Sequence, residues 1–168
     1  DERIFLLNEK LISKFVGNRL TFCYDDKQNY VVNTACSTEI LDKNINPYFL
    51  LSILNSTLIN FYFQQVFSDT RSTFPIMKSG NIEALPLKVL DSELQQPLIV
   101  KTKFIVSKST DFALLIKKTL DLLQAKFDFE KLSKKLQNWH ELNFGEFLKE
   151  LKKKNVQLSL SEEAEWMQ

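Results

Sequence analysis

Three glycines stand in 168 residues, at positions 17, 80 and 145, too far apart to build a loop that cradles a phosphate or a dinucleotide. A methyltransferase using S-adenosylmethionine would need such a loop after a strand, and the Asn-Pro-Pro-aromatic or Asp-Pro-Pro-aromatic signature of adenine methyltransferases is absent as well. Thiols are scarce too. Cys23 and Cys36 have no Cys-x-x-Cys spacing, and the single His140 is remote from both, so they offer no metal set and fit a reduced, cytosolic setting. No run approaches the roughly 18 uninterrupted apolar residues of a membrane span. Nor is there a surplus of charge. Against 22 basic residues stand 21 acidic ones, for a net +1, and neither half departs from balance. Nucleic-acid binding therefore finds no support in composition and would have to come from a local patch. The opening residues, Asp1-Glu-Arg-Ile-Phe, read as neither a translation start nor a signal sequence, so a piece of a longer soluble protein is expected.

What is present is hydrophobic substance, 44% of the chain with 14 phenylalanines, enough for one sizeable core plus an appendage. Arg3–Leu7 and Lys10–Val16 read as short strands, the second stopped by Gly17-Asn18. Arg19–Tyr24 and Tyr30–Cys36 are rich in β-formers and flank Asp25–Asn29, which has turn chemistry; together they predict a hairpin with Tyr24 opposite Tyr30. In that register Arg19, Thr21, Cys23, Val31, Asn33 and Ala35 share the more polar face, and the two cysteines are not cross-strand partners.

Asn46-Pro47 opens a helix expected to run to Val66, with Leu50, Ile53, Leu54, Leu58, Phe61 and Tyr62 on one face and further apolar residues around the cylinder, so a buried core helix. A polar loop follows, bearing Asp69, Thr70, Arg71, Ser72, Thr73, Lys78, Ser79 and Asn81, and then an edge strand over Ile82–Leu90 interrupted by Pro86. From Ser92, where Ser-x-x-Gln95 has the form of a capping box, helical spacing of apolar residues extends from Leu98 to Phe127, with a break expected near Ser107–Thr110. Shorter helices are expected over Glu130–Trp139, Phe144–Lys154 and Leu158–Trp166, the last capped by Ser161. The chain is thus expected to be α+β: a small mixed sheet with a buried helix over residues 1–90, then a helical appendage over 91–168.

No catalytic constellation is found. Asp25-Asp-Lys27 and Glu150-Leu-Lys152 have the letters of a nuclease metal motif, but one falls in a turn and the other on a charged helix face. Lysines from Lys101 to Lys154 invite a phosphate-binding interpretation, yet neighbouring acids make most of them the solvated faces of amphipathic helices. The Leu98–Phe127 stripe suits intramolecular core, a helix-pair seam or contact with a further domain.

Several stretches, in order, carry a family resemblance: Gly17-Asn-Arg-Leu-Thr-Phe-Cys-Tyr-Asp25 with Tyr30-Val-Val-Asn-Thr34, Tyr48-Phe-Leu-Leu-Ser-Ile-Leu-Asn-Ser56, Ile59-Asn-Phe-Tyr-Phe63 and Leu85-Pro-Leu87. Gln95-Gln-Pro97, Leu132–Trp139 and Phe144–Leu151 extend it into the second half. The chain resembles the target recognition domain of restriction-modification enzymes, closest to the TaqI-like C-terminal specificity domain of type IIG restriction enzyme-methyltransferases, and more weakly type I specificity subunits. The resemblance implies a noncatalytic module that reads a short double-stranded DNA sequence for a fused adenine methyltransferase and endonuclease in a prokaryotic cytoplasm. S-adenosylmethionine and Mg2+ would then be held by those other domains, with no cofactor in this chain.

Base readout in a major groove needs Arg for guanine and Asn or Gln for adenine, with Ser, Thr and Lys mostly on phosphates. Arg71, Lys78, Asn81, Ser72, Thr73 and Ser79 supply these types in the loop, and Arg19 and Asn33 on the hairpin. The same residues also suit ordinary turn bonding, with Arg71 paired to Asp69. Two rival functions stay open: a type I-like specificity half whose long helix is a spacer, and a protein-interaction module that uses the long helix and has no DNA role.

Overall fold

The computed structural model describes residues 2–67 and 76–167. A 3-10 helix over Glu2–Leu6 leads into three strands, β1 (Lys10–Lys14), β2 (Phe22–Asp25) and β3 (Ala35–Thr38). They form one antiparallel sheet in the order β2-β1-β3. The expected hairpin is therefore not formed: the two strands assigned to it sit on opposite sides of β1 and never pair with each other.

The reason lies in β1, where Lys10, Leu11 and Ser13 are all buried. A strand so enclosed needs neighbours on both edges. Across β1 and β2 Lys10 stands opposite Asp25, and their side chains form an ion pair at 2.5 Å. Asp25 also accepts from the backbone N–H of Lys27 and Asn29 and from the Asn29 amide. Its carboxylate thus holds a real turn, as Asp25–Asn29 predicted, with Gln28 at φ 53° in the left-handed region. The chain leaves the sheet at that turn and rejoins it only at Ala35, on the far side of β1. Cys23 and Cys36 both remain free thiols, on different edges of the sheet. At the amino end, Glu2–Leu6 is a 3-10 helix where a strand was expected.

The buried helix exists but is broken. α1 (Pro47–Leu54) and α2 (Thr57–Val66) meet at Asn55-Ser56, where Ser56 takes an extended backbone and its hydroxyl accepts from Ile59 N–H at 3.2 Å. Asn55 uses the elbow. Its side-chain carbonyl accepts from Phe22 N–H at 2.9 Å, and its amide donates to the Phe22 carbonyl at 3.0 Å. One side chain thereby satisfies both exposed backbone groups of an edge-strand residue and fixes the elbow against β2. Asn55→Ala leaves both groups without their partner, and a loss of about 2–3 kcal/mol in urea denaturation is expected. A change below about 0.5 kcal/mol would mean that water replaces the amide at no cost. Leu11, Leu20, Phe22, Leu54, Phe63 and Met77 are among the residues of the core so enclosed.

Beyond the undescribed residues, Ile76 forms an isolated antiparallel bridge with Val16, and Met77 N–H donates to the Phe15 carbonyl at 2.9 Å. α3 (Ser79–Glu83) then replaces the start of the expected edge strand. Leu85 turns inward to the core, and Pro86 follows without strand pairing. The long helix α4 runs from Ser92 to Phe127 without the expected interruption. Neither glycine nor proline occurs at 107–110, and Lys108 pairs with Asp111 one turn on, so the polar cluster breaks nothing. Gln95 does not serve a capping box, because its side chain is committed to Asn44, Asn46 and Leu90.

The chain divides into two compact units, 1–107 and 108–168, with the division inside α4. In the second unit, α5 (Lys134–Gln137), a 3-10 turn at Trp139–Glu141, α6 (Phe144–Lys152) and α7 (Leu160–Trp166) enclose Leu123, Leu132, Leu136, Phe147 and Leu151. α6 and α7 open with full capping boxes, Asn143 with Glu146 and Ser159 with Glu162. The cap of α7 is thus Ser159, two residues earlier than expected. Altogether the fold is α+β, a small sheet with helices packed on it and a long helix leading to shorter ones.

Candidate nucleic-acid interface

Where β1 ends, three chain segments meet. Lys14 N–H donates to the Thr21 carbonyl at 3.3 Å, which returns the Gly17–Leu20 turn along one side. Phe15 N–H donates to the Thr34 carbonyl at 2.9 Å on the other side, and the Phe15 carbonyl accepts from Met77. The Arg19 turn, the Asn33 approach to β3 and the residues entering α3 are therefore gathered at one end of the sheet.

Arg19 and Asn33 are exposed there, on turns flanking β1 and not on one face of a hairpin. Lys78 occupies the position before α3, is exposed, and makes no side-chain capping bond. Ser79 is the first residue of α3, and Asn81 is half-buried two residues on, with its N–H bonded to the Lys78 carbonyl at 3.0 Å. Arg71, Ser72 and Thr73 lie outside the described residues. Among the described residues, Arg19 and Lys78 make no ion pair.

Residues 1–87 match the family model described as TaqI-like C-terminal specificity domain. The chain belongs to this family. Such a domain serves recognition of a DNA sequence within restriction-modification, as the sequence resemblance implied. Residues 91–168 match a second model, described as a domain of unknown function (DUF8810). No curated protein and no solved structure matches the chain. No helix of the described residues is long and apolar enough to cross a membrane.

Two residues at this sheet end escaped the sequence reading. Lys14, the last residue of β1, is exposed beside the converging turns, and among the described residues it too makes no ion pair. Gln64 on α2 donates its amide to the Asn18 carbonyl at 3.0 Å and so holds the turn that carries Arg19. Strand alternation could have flagged Lys14, but nothing local marks Gln64, whose partner is 46 residues away.

Both nuclease-like triplets are accounted for structurally. Burial would push the Asp25 carboxyl up, but the Lys10 ammonium, the Asn29 amide and the backbone N–H groups of Lys27 and Asn29 together hold it below the usual carboxylate range. Glu150 accepts from Lys153 at 2.6 Å and from Ser133 at 3.1 Å, and chiefly the Lys153 bond lowers its carboxyl in turn. Both leading acids are therefore tied into their own units.

Proposed function

We propose that residues 1–107 of this specificity domain read a short double-stranded DNA sequence through the end of the sheet at which β1 stops. In this proposal Arg71, Lys78 and Asn81 are the leading contacts, supported by Ser72, Thr73, Ser79, Arg19 and Asn33, and the module serves an adenine methyltransferase and type II endonuclease of the same parent chain. S-adenosylmethionine and Mg2+ would be used by those domains, in a prokaryotic cytoplasm.

The observation that carries this is the attachment of Ile76 and Met77 to Val16 and Phe15, because it brings the stretch that carries Lys78, Ser79 and Asn81 to the same strand end as the two turns. A reader of base edges needs groups held in register by a scaffold, with phosphate contacts around them to fix the approach. A type I-like specificity half with a spacer helix draws support from α4, which is unbroken for 36 residues. A bipartite recognition sequence would favour that second function.

Selection from a random-sequence duplex pool tests the proposal. The chain should enrich one short motif. Arg71→Ala should weaken binding to it by about 1–3 kcal/mol, roughly 5- to 150-fold, and relax the preference at one base pair. Equal weakening on every sequence would demote Arg71 to a phosphate contact, and no enrichment together with no binding at low salt would remove the DNA-reading assignment from this chain.

A further inference from the structure

The unit formed by residues 108–168, whose family model names no function, holds a groove of about 530 Å3 lined by Lys135 of α5 and by Glu146, Lys149, Glu150, Lys152 and the adjoining Lys153 of α6. Its charges are not evenly matched. Glu150 is buried, with 6% of its surface exposed, and its carboxylate is taken by Ser133 and Lys153. The Glu146 carboxylate is turned back onto Asn143 N–H at 3.0 Å, completing the capping box of α6. Both acids of the groove are thus engaged by the protein itself. Lys135, Lys149 and Lys152 are exposed, and among the described residues they make no ion pair.

Lysines near the carboxyl end of α6 offset its dipole, which explains the presence of one or two. α5 adds Lys135 across the groove, where its charge acts on the Glu150 carboxylate, so that four ammonium groups share the groove with two carboxylates and the balance is positive. The unit as a whole is nearly neutral, so the excess of lysines over carboxylates in this groove is local.

We propose that Lys135, Lys149 and Lys152 form a phosphate-contact surface through which the second unit grips the backbone of duplex DNA without reading its sequence. This rests on the DNA-reading assignment of residues 1–107, which makes a DNA duplex the polyanion present. The ammonium groups act as point charges on phosphate oxygens, a geometry that Lys serves without base selectivity. Binding releases condensed counterions, so each contact adds to the salt dependence of affinity.

The test compares the wild-type chain with Lys135→Gln/Lys149→Gln/Lys152→Gln by fluorescence anisotropy, on a duplex bearing the selected motif and on a scrambled duplex, over a salt series. All three positions are at the surface, and unchanged thermal melting verifies the fold. The expected result is a slope of log K against log salt smaller by about 2 to 3, with the same fold loss of affinity on both duplexes. Lys117→Gln/Lys118→Gln, outside the groove, should leave the slope unchanged. An unchanged slope in the triple variant, with motif binding intact, overturns the phosphate surface and leaves the recognition function standing. Loss confined to the motif duplex also overturns it, as does equal loss in the Lys117/Lys118 control. A wild-type chain that binds neither duplex at low salt sinks both assignments together.

Discussion

Replacing Lys10 by methionine is expected to lower the stability of the amino-terminal unit by about 3–5 kcal/mol, the cost of leaving a buried partner charge uncompensated. Lys10 is fully enclosed and Asp25 is 3% exposed, so water cannot take over the lost contact. Methionine fills most of the lysine stem's volume, which isolates the electrostatic loss from a cavity effect. The dependence on pH has a definite sign. Asp25 has a lowered carboxyl in the folded wild type, so its contribution is fully present above the unfolded value and is lost as pH falls through the lower, folded value. Wild-type stability should therefore decline below about pH 4. In Lys10→Met the ammonium that lowers this carboxyl is gone while burial still raises it, so the carboxyl stands higher than in the wild type, and the gap between the two proteins should narrow as pH falls. Adding Asp25→Asn should recover part of the loss at neutral pH, since the asparagine carbonyl still accepts from Lys27 N–H and the Asn29 amide without a buried charge, while its NH2 group gives up the bond from Asn29 N–H. Urea titrations at several pH values measure all of this, and a gap of under about 1 kcal/mol at neutral pH would show that the pair is replaceable.

This pair also marks where the sequence stops being legible. β1 is recognisable from Leu11-Ile12 and the Gly17-Asn18 stop, and the Asp25–Asn29 turn from its residue types, because both signals are local. That the turn closes no hairpin depends on a lysine buried 15 residues earlier in sequence, and burial of a lysine leaves no local mark. The break between α1 and α2 is different: Asn55-Ser56-Thr57 is good capping chemistry, overridden in the sequence reading by an apolar period that happened to continue through it. Likewise the polarity of the loop singled out Lys78 and Asn81, whereas their mounting on the strand end depends on backbone bonds to Phe15 and Val16, some sixty residues away. Residue types announce a candidate site; the long-range backbone pairing that gathers it is silent in a single sequence.

The second large effect is expected at Gln95, where Gln95→Ala should destabilise the same unit by about 3–5 kcal/mol, the summed cost of orphaned backbone groups. Only 1% of this side chain is exposed, and it makes three bonds to backbone that it does not adjoin. Its carbonyl accepts from Asn46 N–H at 3.1 Å, and its amide donates to the carbonyls of Asn44 at 2.9 Å and Leu90 at 2.7 Å. Asn46 is the cap of α1, with its side chain accepting from Tyr48 N–H, so Gln95 fixes the point at which the buried helix begins. Ile99 and Thr102, one and two turns along α4, are buried as well, and Val106 packs on the core around Leu54 and Phe63. The first turns of α4 are consequently part of the amino-terminal unit, beyond the last residue matched to the specificity-domain model. A chain ending at residue 90 should therefore fail to fold, while one ending at residue 107 should melt cooperatively, and circular dichroism on the two distinguishes them. Gln95→Glu tests the polarity of the node separately, because it removes the donor to Asn44 and Leu90 and sets a carboxylate against their carbonyls. If Gln95→Ala melted within a degree or two of wild type, water would have to occupy the vacated site and satisfy all three groups, and the start of α4 would be a neighbour of the specificity domain, no longer a structural part of it.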